Sequence, residues 1–380
     1  MKALMFWLHK WLGLFSGIVV FIICLTGAVY VFYDDIKLVV YADRYYLTES
    51  PSTSSEAMAL SVLAAHAQAV LPKGEKVSRV DVYPARNRTW VFRASKTDDS
   101  KIGYWQYNVY HKRVYINPYS GKVQFVENSK NEFFQILLAL HRNLLLGKKI
   151  GHLVIGVTMA IFITLCISGL LLWFPKKWKR KQLKKGLVLD LKVKWKRFNY
   201  DLHKVLGFYF LWFGLMFAIT GLVFTFPGFK KSYVSFFNTL GSPFETVAAE
   251  KLLPNIPEHF PDVLDNALYF TLQQHPAADM MSIRLKNKDN AGQDIQVRLQ
   301  KNKSSVFNWY YFDKTDGQLI RLESSDMQTL GARMGSLNYD LHVGGVGGLP
   351  TKILYFFVAL IGASLPITGF ILWRNKSKKR

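Results

Sequence analysis

Two short stretches hold the residues best suited to chemistry. Leu8-His9-Lys10-Trp11-Leu12-Gly13 returns almost unchanged as Leu202-His203-Lys204-Val205-Leu206-Gly207. In both, the histidine opens a long apolar run, and a Thr-Gly pair follows seventeen residues later, Thr26-Gly27 and Thr220-Gly221. A second pair is built alike: Leu140-His141 and Leu341-His342 each precede a glycine by six residues, Gly147 and Gly348, and each lies just before another apolar run. A lone histidine at the mouth of an apolar segment is ordinarily just amphipathic. Equivalent histidines in equivalent segments put two imidazoles at one depth, facing each other, and two facing imidazoles bind one metal from opposite sides. That is the requirement of a six-coordinate haem iron. Zinc usually takes four ligands, acids or thiols among them, and no such cluster is visible. Without a Cys-x-x-Cys-His motif, covalent c-type attachment is excluded. Two non-covalent b-type haems are the expected cofactors, with His9 and His203 holding one iron and His141 and His342 the other. His152, which has no twin, is the alternative ligand to His141.

The elements that position these residues follow from composition. The chain has 380 residues, is half hydrophobic, and carries a formal net charge of +23. That combination suits a membrane protein with basic loops. A pI near 9.8 also fits nucleic-acid binding, but the basic residues cluster beside apolar runs, so no nucleic acid is expected. The only cysteines, Cys24 and Cys166, lie inside apolar runs, which excludes a disulfide framework, a Cys-rich zinc site and an iron–sulfur cluster.

Four runs, 11–32, 153–174, 205–226 and 353–373, each supply the roughly 20 residues that cross a bilayer core as a helix. The first exceeds the ~7–15 residues of a signal-peptide core, and its twin at 205–226 cannot be one. The stretch 176–197 holds eleven Lys and Arg, Lys176 and Lys177 among them, against one acid, Asp190, and the tail 374–380 is basic as well. The positive-inside rule places both in the cytoplasm, with the long segments between spans outside. Trp7, Trp11, Trp173, Trp178, Trp195 and Trp373 stand near span ends, where an interfacial belt is expected.

The expected division is therefore a first span (1–33), a first outward α+β domain (34–132), an approach helix and second span (133–175), a basic cytoplasmic loop (176–202), a third span closed by Pro227-Gly228 (203–227), a second outward domain (228–340), and a fourth span with its basic tail (341–380). In the first outward domain, Ser54 and Ser55 offer caps for a helix over 56–71. Strands are expected over 77–83, 89–94, 105–110 and 113–116, and after the turn 117–123. The approach helix covers 133–146. In the second, a Pro-rich entry (Pro254, Pro257, Pro261) precedes a helix over 262–274, then strands over 280–285, 295–299 and 306–312 and a matching turn, 313–319. The chain thus reads as a tandem duplication of span, outward domain and span, with a pseudo-two-fold axis along the membrane normal.

Small residues admit close helix packing and leave room for a flat macrocycle. Gly13, Gly17, Gly207 and Gly214 are the candidates near the inner histidines, and the Gly344–Gly348 run is the candidate beside His342. Lys10 and Lys204 would neutralise propionates or simply snorkel to headgroups. His66, His111, His259 and His275 fall in the outward segments and read as surface or structural. A haem near each face divides the ~30 Å of hydrocarbon into an electron path. The glycine run follows a histidine instead of a strand and so fails the dinucleotide-binding context, which leaves the donor to come from elsewhere.

With these residues placed, the chain resembles the PepSY-associated transmembrane family of bacterial inner-membrane proteins. The likeness rests on Leu-His-Lys-x-Leu-Gly in spans one and three, on Leu140-His141-Arg142, and on Ser168-Gly169-Leu170-Leu171-Leu172-Trp173 and Thr368-Gly369-Phe370-Ile371-Leu372-Trp373 closing spans two and four. The outward domains look like PepSY modules, ending in turns such as 117–123 and 313–319. The resemblance implies a bundle of four transmembrane helices with two α+β PepSY-like periplasmic domains. In length and plan it is nearest the ferric-siderophore reductases of the family, of the ferrioxamine type. It implies a di-haem reductase that passes electrons from a cytoplasmic or quinol donor to a ferric siderophore, hydroxamates included, in the periplasm and releases Fe(II). Two other readings compete. One is a membrane-anchored PepSY binding or regulatory module without redox activity. The other is a siderophore transport component, which the lack of Asp and Glu in spans one and three disfavours.

Overall fold

The computed structural model describes residues 2–49, 51–52, 54–175, 179–241, 256, 259–285 and 293–377. Lys176, Lys177 and Trp178 of the basic loop, Pro254 and Pro257 of the Pro-rich entry, and 378–380 of the tail lie outside the described residues. The first half runs α1 (Lys2–Tyr30), α2 (Tyr33–Val40), the single turn α3 (Ala42–Tyr45), α4 (Leu60–Ala69), β1 (Val77–Val82), β2 (Trp90–Thr97), the single turn α5 (Tyr104–Tyr107), β3 (Asn108–Ile116), β4 (Val123–Glu127), α6 (Phe133–Asn143) and α7 (Lys148–Trp173). A short helix, α8 (Arg180–Leu187), leads to the second half. That half is α9 (Trp195–Thr225), α10 (Pro227–Leu240), α11 (Val263–Gln274), β5 (Met280–Arg284), β6 (Gln293–Gln300), β7 (Lys303–Phe312), β8 (Leu319–Ser324), α12 (Leu330–Val343) and α13 (Leu349–Ser377).

Among the described residues, helices α1, α7, α9 and α13 are the four long and apolar enough to cross a membrane. Their outward faces carry exposed Phe15, Ile18, Leu153 and Trp212, which water would penalise and hydrocarbon would not. Helix α1 packs on α7 and α13, and α9 packs on the same two, so α1 and α9 stand diagonally across the bundle. Helix α6 leans on α1 and α7, and α12 leans on α9 and α10, both at the end nearest the sheet.

Each half contributes a four-stranded antiparallel meander, and the two join edge to edge. The result is one eight-stranded sheet in the order β4-β3-β2-β1-β5-β6-β7-β8. The seam is β1 against β5, with Val80 opposite Ile283. Joining there pairs two strand edges that would otherwise invite association. Alternation finds the strands but cannot say which edges meet, so the two outward segments expected from the sequence share one sheet. They also share one core: Leu63, Val80, Phe92 and Val114 from the first half bury with Ala267, Ile283, Ile295 and Phe312 from the second, beneath α4 and α11.

The helix expected over 56–71 begins at Leu60, and neither Ser54 nor Ser55 caps it. Its cap comes from the other half: the Asp265 carboxylate accepts from the Ser61 N–H at 2.8 Å and the Ser61 hydroxyl at 2.5 Å. Asp265→Ala is expected to cost roughly 1–2 kcal/mol, the scale of a lost helix cap, read as a lower melting temperature of the purified protein.

Four other expectations shift. Over 105–110 the chain first makes the turn α5, because Gly103 sits at φ +90° and Tyr104 N–H donates to the Leu145 carbonyl at 2.7 Å. The strand then runs unbroken over 108–116. Pro227 does not end the helical path but starts α10 at its first position, where the missing N–H costs nothing. Helix α9 begins at Trp195 and absorbs the end of the stretch expected as loop. The approach helix stops at Asn143, three residues early, because Leu144 and Leu145 turn left-handed at φ 53° and 60°.

Candidate functional site

The four histidines form two opposed pairs. At the end of the bundle away from the sheet, His9 on α1 faces His203 on α9, ring centroids 6.2 Å apart and planes at 83°. At the sheet end, His141 on α6 faces His342 on α12, centroids 6.0 Å apart and planes at 68°. The seventeen residues from His9 to Thr26 along α1 rise about 25 Å at 1.5 Å each, and that sets the distance between the two levels.

Each imidazole is backed by a hydroxyl on a neighbouring helix. His9 Nδ1 lies 3.0 Å from Ser168 Oγ on α7, and His203 Nδ1 lies 2.9 Å from Thr368 Oγ1 on α13. His141 Nδ1 lies 3.2 Å from Thr26 Oγ1 on α1 and 3.0 Å from the Ile23 carbonyl. His342 Nδ1 lies 2.7 Å from Thr220 Oγ1 on α9. A hydroxyl has one proton to donate. In all four cases it goes to a carbonyl of the hydroxyl's own helix: Leu165, Leu365 or Ser364, Ile22 and Met216 respectively. With that proton directed along the helix, the hydroxyl accepts and Nδ1 carries the hydrogen; at His141 the Ile23 carbonyl, which can only accept, requires it. In that tautomer each Nε2 lone pair is bare, on the far side of the ring from its backing helix. No hydrogen bond occupies these Nε2 atoms among the described residues. The backing of an imidazole N–H by an acceptor is the usual support of a metal-bound histidine.

The glycines beside the rings are not the ones expected. Gly13, Gly17 and Gly207 face Leu165, Pro366 and Leu365, and Gly214 faces Phe162 and Phe210, so all four serve helix packing. Gly344 faces Tyr355 and is the left-handed cap of α12 at φ +73°. The glycines under the imidazoles follow the hydroxyl residues. A Cβ on Gly169 would come 3.1 Å from His9 Cε1, on Gly369 3.3 Å from His203, on Gly27 3.1 Å from His141, and on Gly221 3.9 Å from His342. The Thr-Gly pair after each inner histidine thus seats the histidine of the other level, and the Ser-Gly and Thr-Gly pairs closing spans two and four seat the inner ones.

A further feature is shared by the two levels. Asn199-Tyr200-Asp201-Leu202-His203 and Asn338-Tyr339-Asp340-Leu341-His342 are identical five-residue runs. In both, the asparagine one turn before the histidine clamps the backing helix. Asn199 Nδ2 donates to the Thr368 carbonyl at 3.1 Å, and Asn338 Nδ2 to the Thr220 carbonyl at 3.2 Å. Asp340 ties His342's helix to the sheet by accepting from the N–H groups of Ser304 and Ser305, each at 3.0 Å. The repeated pentapeptide marks these residues in the sequence, though not the bonds they make.

His152, the alternative outer ligand, sits half-buried near the start of α7 and has neither a ring nor a hydrogen-bond partner among the described residues; His141 is the residue brought to His342. Lys10 and Lys204 lie over the rings of Trp11 and Trp173, at 4.3 and 5.9 Å from the centroids. The remaining histidines serve the outward fold. His66 contacts the Gly121 carbonyl at 2.9 Å, His259 stacks on Tyr269, and His275 bonds Tyr310 at 2.6 Å. Burial, with Arg113 and Arg93 beside it, pushes His111 down to about 4.

Metal–nitrogen bonds of about 2 Å on each side set two axial imidazole centres roughly 6 Å apart, which is the separation both pairs show. Among the described residues no group of three or more His, Cys, Asp or Glu could hold a metal ion. A metal at either pair would thus take two ligands from the protein, leaving four that a haem would supply. The opposed imidazoles and the glycine seats fit that group. If haem occupies the outer pair, Thr220→Val, which keeps the shape and removes the acceptor, would weaken its retention about 10- to 100-fold, read as haem lost on gel filtration. Comparison with curated proteins gives no match. A family model described as the PepSY-associated TM region matches residues 6–376. Both histidine pairs and all of the spans except the first residues of α1 lie inside that stretch, and the chain is accordingly a membrane protein that belongs to the PepSY-associated transmembrane family.

Proposed function

We propose that the chain is an inner-membrane di-haem b reductase that passes electrons from the cytoplasmic side to a ferric siderophore in the periplasm and releases Fe(II). The observation that carries this reading is the pair of opposed histidine couples, each imidazole backed at Nδ1 by a hydroxyl, at the two ends of one bundle. His9 and His203 would hold one haem, and His141 and His342 the other. Haem supplies reversible one-electron exchange at iron when bound. The chain's residues do the rest. Ser168, Thr368, Thr26 and Thr220 fix the ring orientations, and Asn199 and Asn338 fix the helices that bear Thr368 and Thr220. The basic stretch 179–197 and the tail support a cytoplasmic position for the His9 end and both termini. The sheet then stands in the periplasm as a PepSY-like unit, and the two halves are a tandem duplication about an axis along the membrane normal.

Reduction alone releases the metal, because Fe(II) binds hard oxygen chelators far less tightly than Fe(III) does. The protein therefore needs no general acid or base, only a place at the sheet end where a ferric chelate accepts an electron. Dithionite-reduced protein in detergent should be reoxidised by a ferric siderophore, with Fe(II) trapped by a ferrous chelator. Reduced bands that persist would assign a different acceptor.

A further inference from the structure

The sheet has two unlike faces. Beneath α4 and α11 it is apolar. Its other face bears a row of arginines, one per strand, in direct register. Arg113 on β3 stands opposite Arg93 on β2, Arg93 opposite Arg79 on β1, and Arg79 opposite Arg284 on β5. Four like charges on four adjacent strands, ~4.8 Å from one to the next, repel one another. Carboxylates answer three of them. Arg113 pairs with Glu127 at 3.2 Å, Arg93 with Asp81, and Arg284 with Asp294 at 3.5 Å. Those carboxylates are already shared: Glu127 also takes Arg44 at 2.8 Å, and Asp294 takes Trp309 Nε1 at 3.0 Å. Arg79, at the centre of the row and half-buried, has no carboxylate in ion-pair reach among the described residues. Burial and the neighbouring Arg93 and Arg284 depress its pKa, with Asp81 in partial opposition. The row is open to solvent at Arg93 and Arg284, whose side chains are 34% and 42% exposed.

Beside the row lies an aromatic step. Trp309 and Tyr311 stack with centroids 5.6 Å apart at 18°, Arg284 sits over Trp309 at 5.5 Å, and Arg321 sits over Tyr311 at 4.1 Å. From Arg93 across Arg79 to Arg284 spans two strand spacings, roughly 10 Å, about the width of one metal tris-chelate.

We propose that this arginine row with its Trp309–Tyr311 step is a binding site for a polyanionic ferric chelate with aromatic ligand rings, of the catecholate class. The anionic oxygens lie against Arg93, Arg79 and Arg284, and a ligand ring lies on the aromatic step. That the chelated metal is iron awaiting reduction rests on the reductase reading. That the ligand is an anion rests on the arginines alone, and the test separates the two.

The full-length protein in detergent is titrated with gallium(III) chelates, which bind without being reduced: a trianionic tris-catecholate and a neutral tris-hydroxamate. The anionic chelate is expected to bind at least about tenfold more tightly, since one charge-assisted hydrogen bond of ~1.5 kcal/mol corresponds to that factor, and its affinity should fall with salt. Arg79→Gln should lose about tenfold while its melting temperature holds or rises, because a repelled charge is removed. Arg284→Gln, at a more exposed position, should lose binding in the same direction. Equal affinity for the two chelates, or unchanged anionic binding in Arg79→Gln protein that melts normally, would overturn the proposal. Displacement of the anionic chelate by phosphatidylglycerol in nanodiscs would overturn it in favour of a lipid headgroup. A failure of the reductase reading, seen as no haem or no reoxidation, leaves the gallium titration unaffected.

Discussion

His203→Ala is expected to lower the haem content from two per chain to one, and the haem that stays should be the one lost in His342→Ala. The two levels share helices but no ligand. The inner imidazoles are backed from α7 and α13, the outer ones from α1 and α9. About 25 Å of helix separates them, so removing one ring leaves the other level with both its bare Nε2 atoms. His9→Ala should match His203→Ala, and His141→Ala should match His342→Ala, while His152→Ala should retain both haems. The measurement is haem per protein by pyridine haemochrome, with the reduced spectrum of each variant. Loss of both haems from one substitution, in protein that keeps its circular dichroism, would mean that the pairs are not independent sites.

Reoxidation by a ferric chelate should separate the levels in function. His342→Ala is expected to abolish it, because the acceptor meets the protein at the sheet end, where His141 and His342 stand. His9→Ala should leave it intact in chemically reduced protein and should instead abolish reduction by the physiological donor, once one is supplied from the opposite end. Stopped-flow absorbance after mixing reduced variants with ferric chelate reads both. If His342→Ala is reoxidised at the wild-type rate, electrons leave by another route. The reversed pattern, with His9→Ala inert to the chelate, would turn the protein round in the membrane.

The spans and the histidines were legible because both leave a signal along the chain: some twenty apolar residues, and a repeated Leu-His-Lys. The Thr-Gly pairs were visible as spacing, but their purpose was not. A helix carries Thr26 seventeen residues from His9, and only the packing of α6 on α1 shows that Thr26 serves His141 instead. The glycines that seat the rings are hidden for the same reason. Gly13 is near His9 in sequence, whereas Gly169 is near it in space. Long-range pairing was hidden throughout. Nothing local in Ser61 announces that its cap is Asp265, and nothing in β1 announces β5 as its neighbour. The arginine row is the extreme case, because four residues scattered over Arg79 to Arg284 become one feature only when the register aligns them.

The central claim is that two bis-histidine haem sites occupy the two ends of this bundle. Its most direct test is the absorbance spectrum of the purified wild-type protein, oxidised and dithionite-reduced, after expression with ample haem. The account predicts a Soret band that shifts on reduction, sharp low-spin α and β bands, and two haems per chain. A protein that folds and purifies without a Soret band would contradict it.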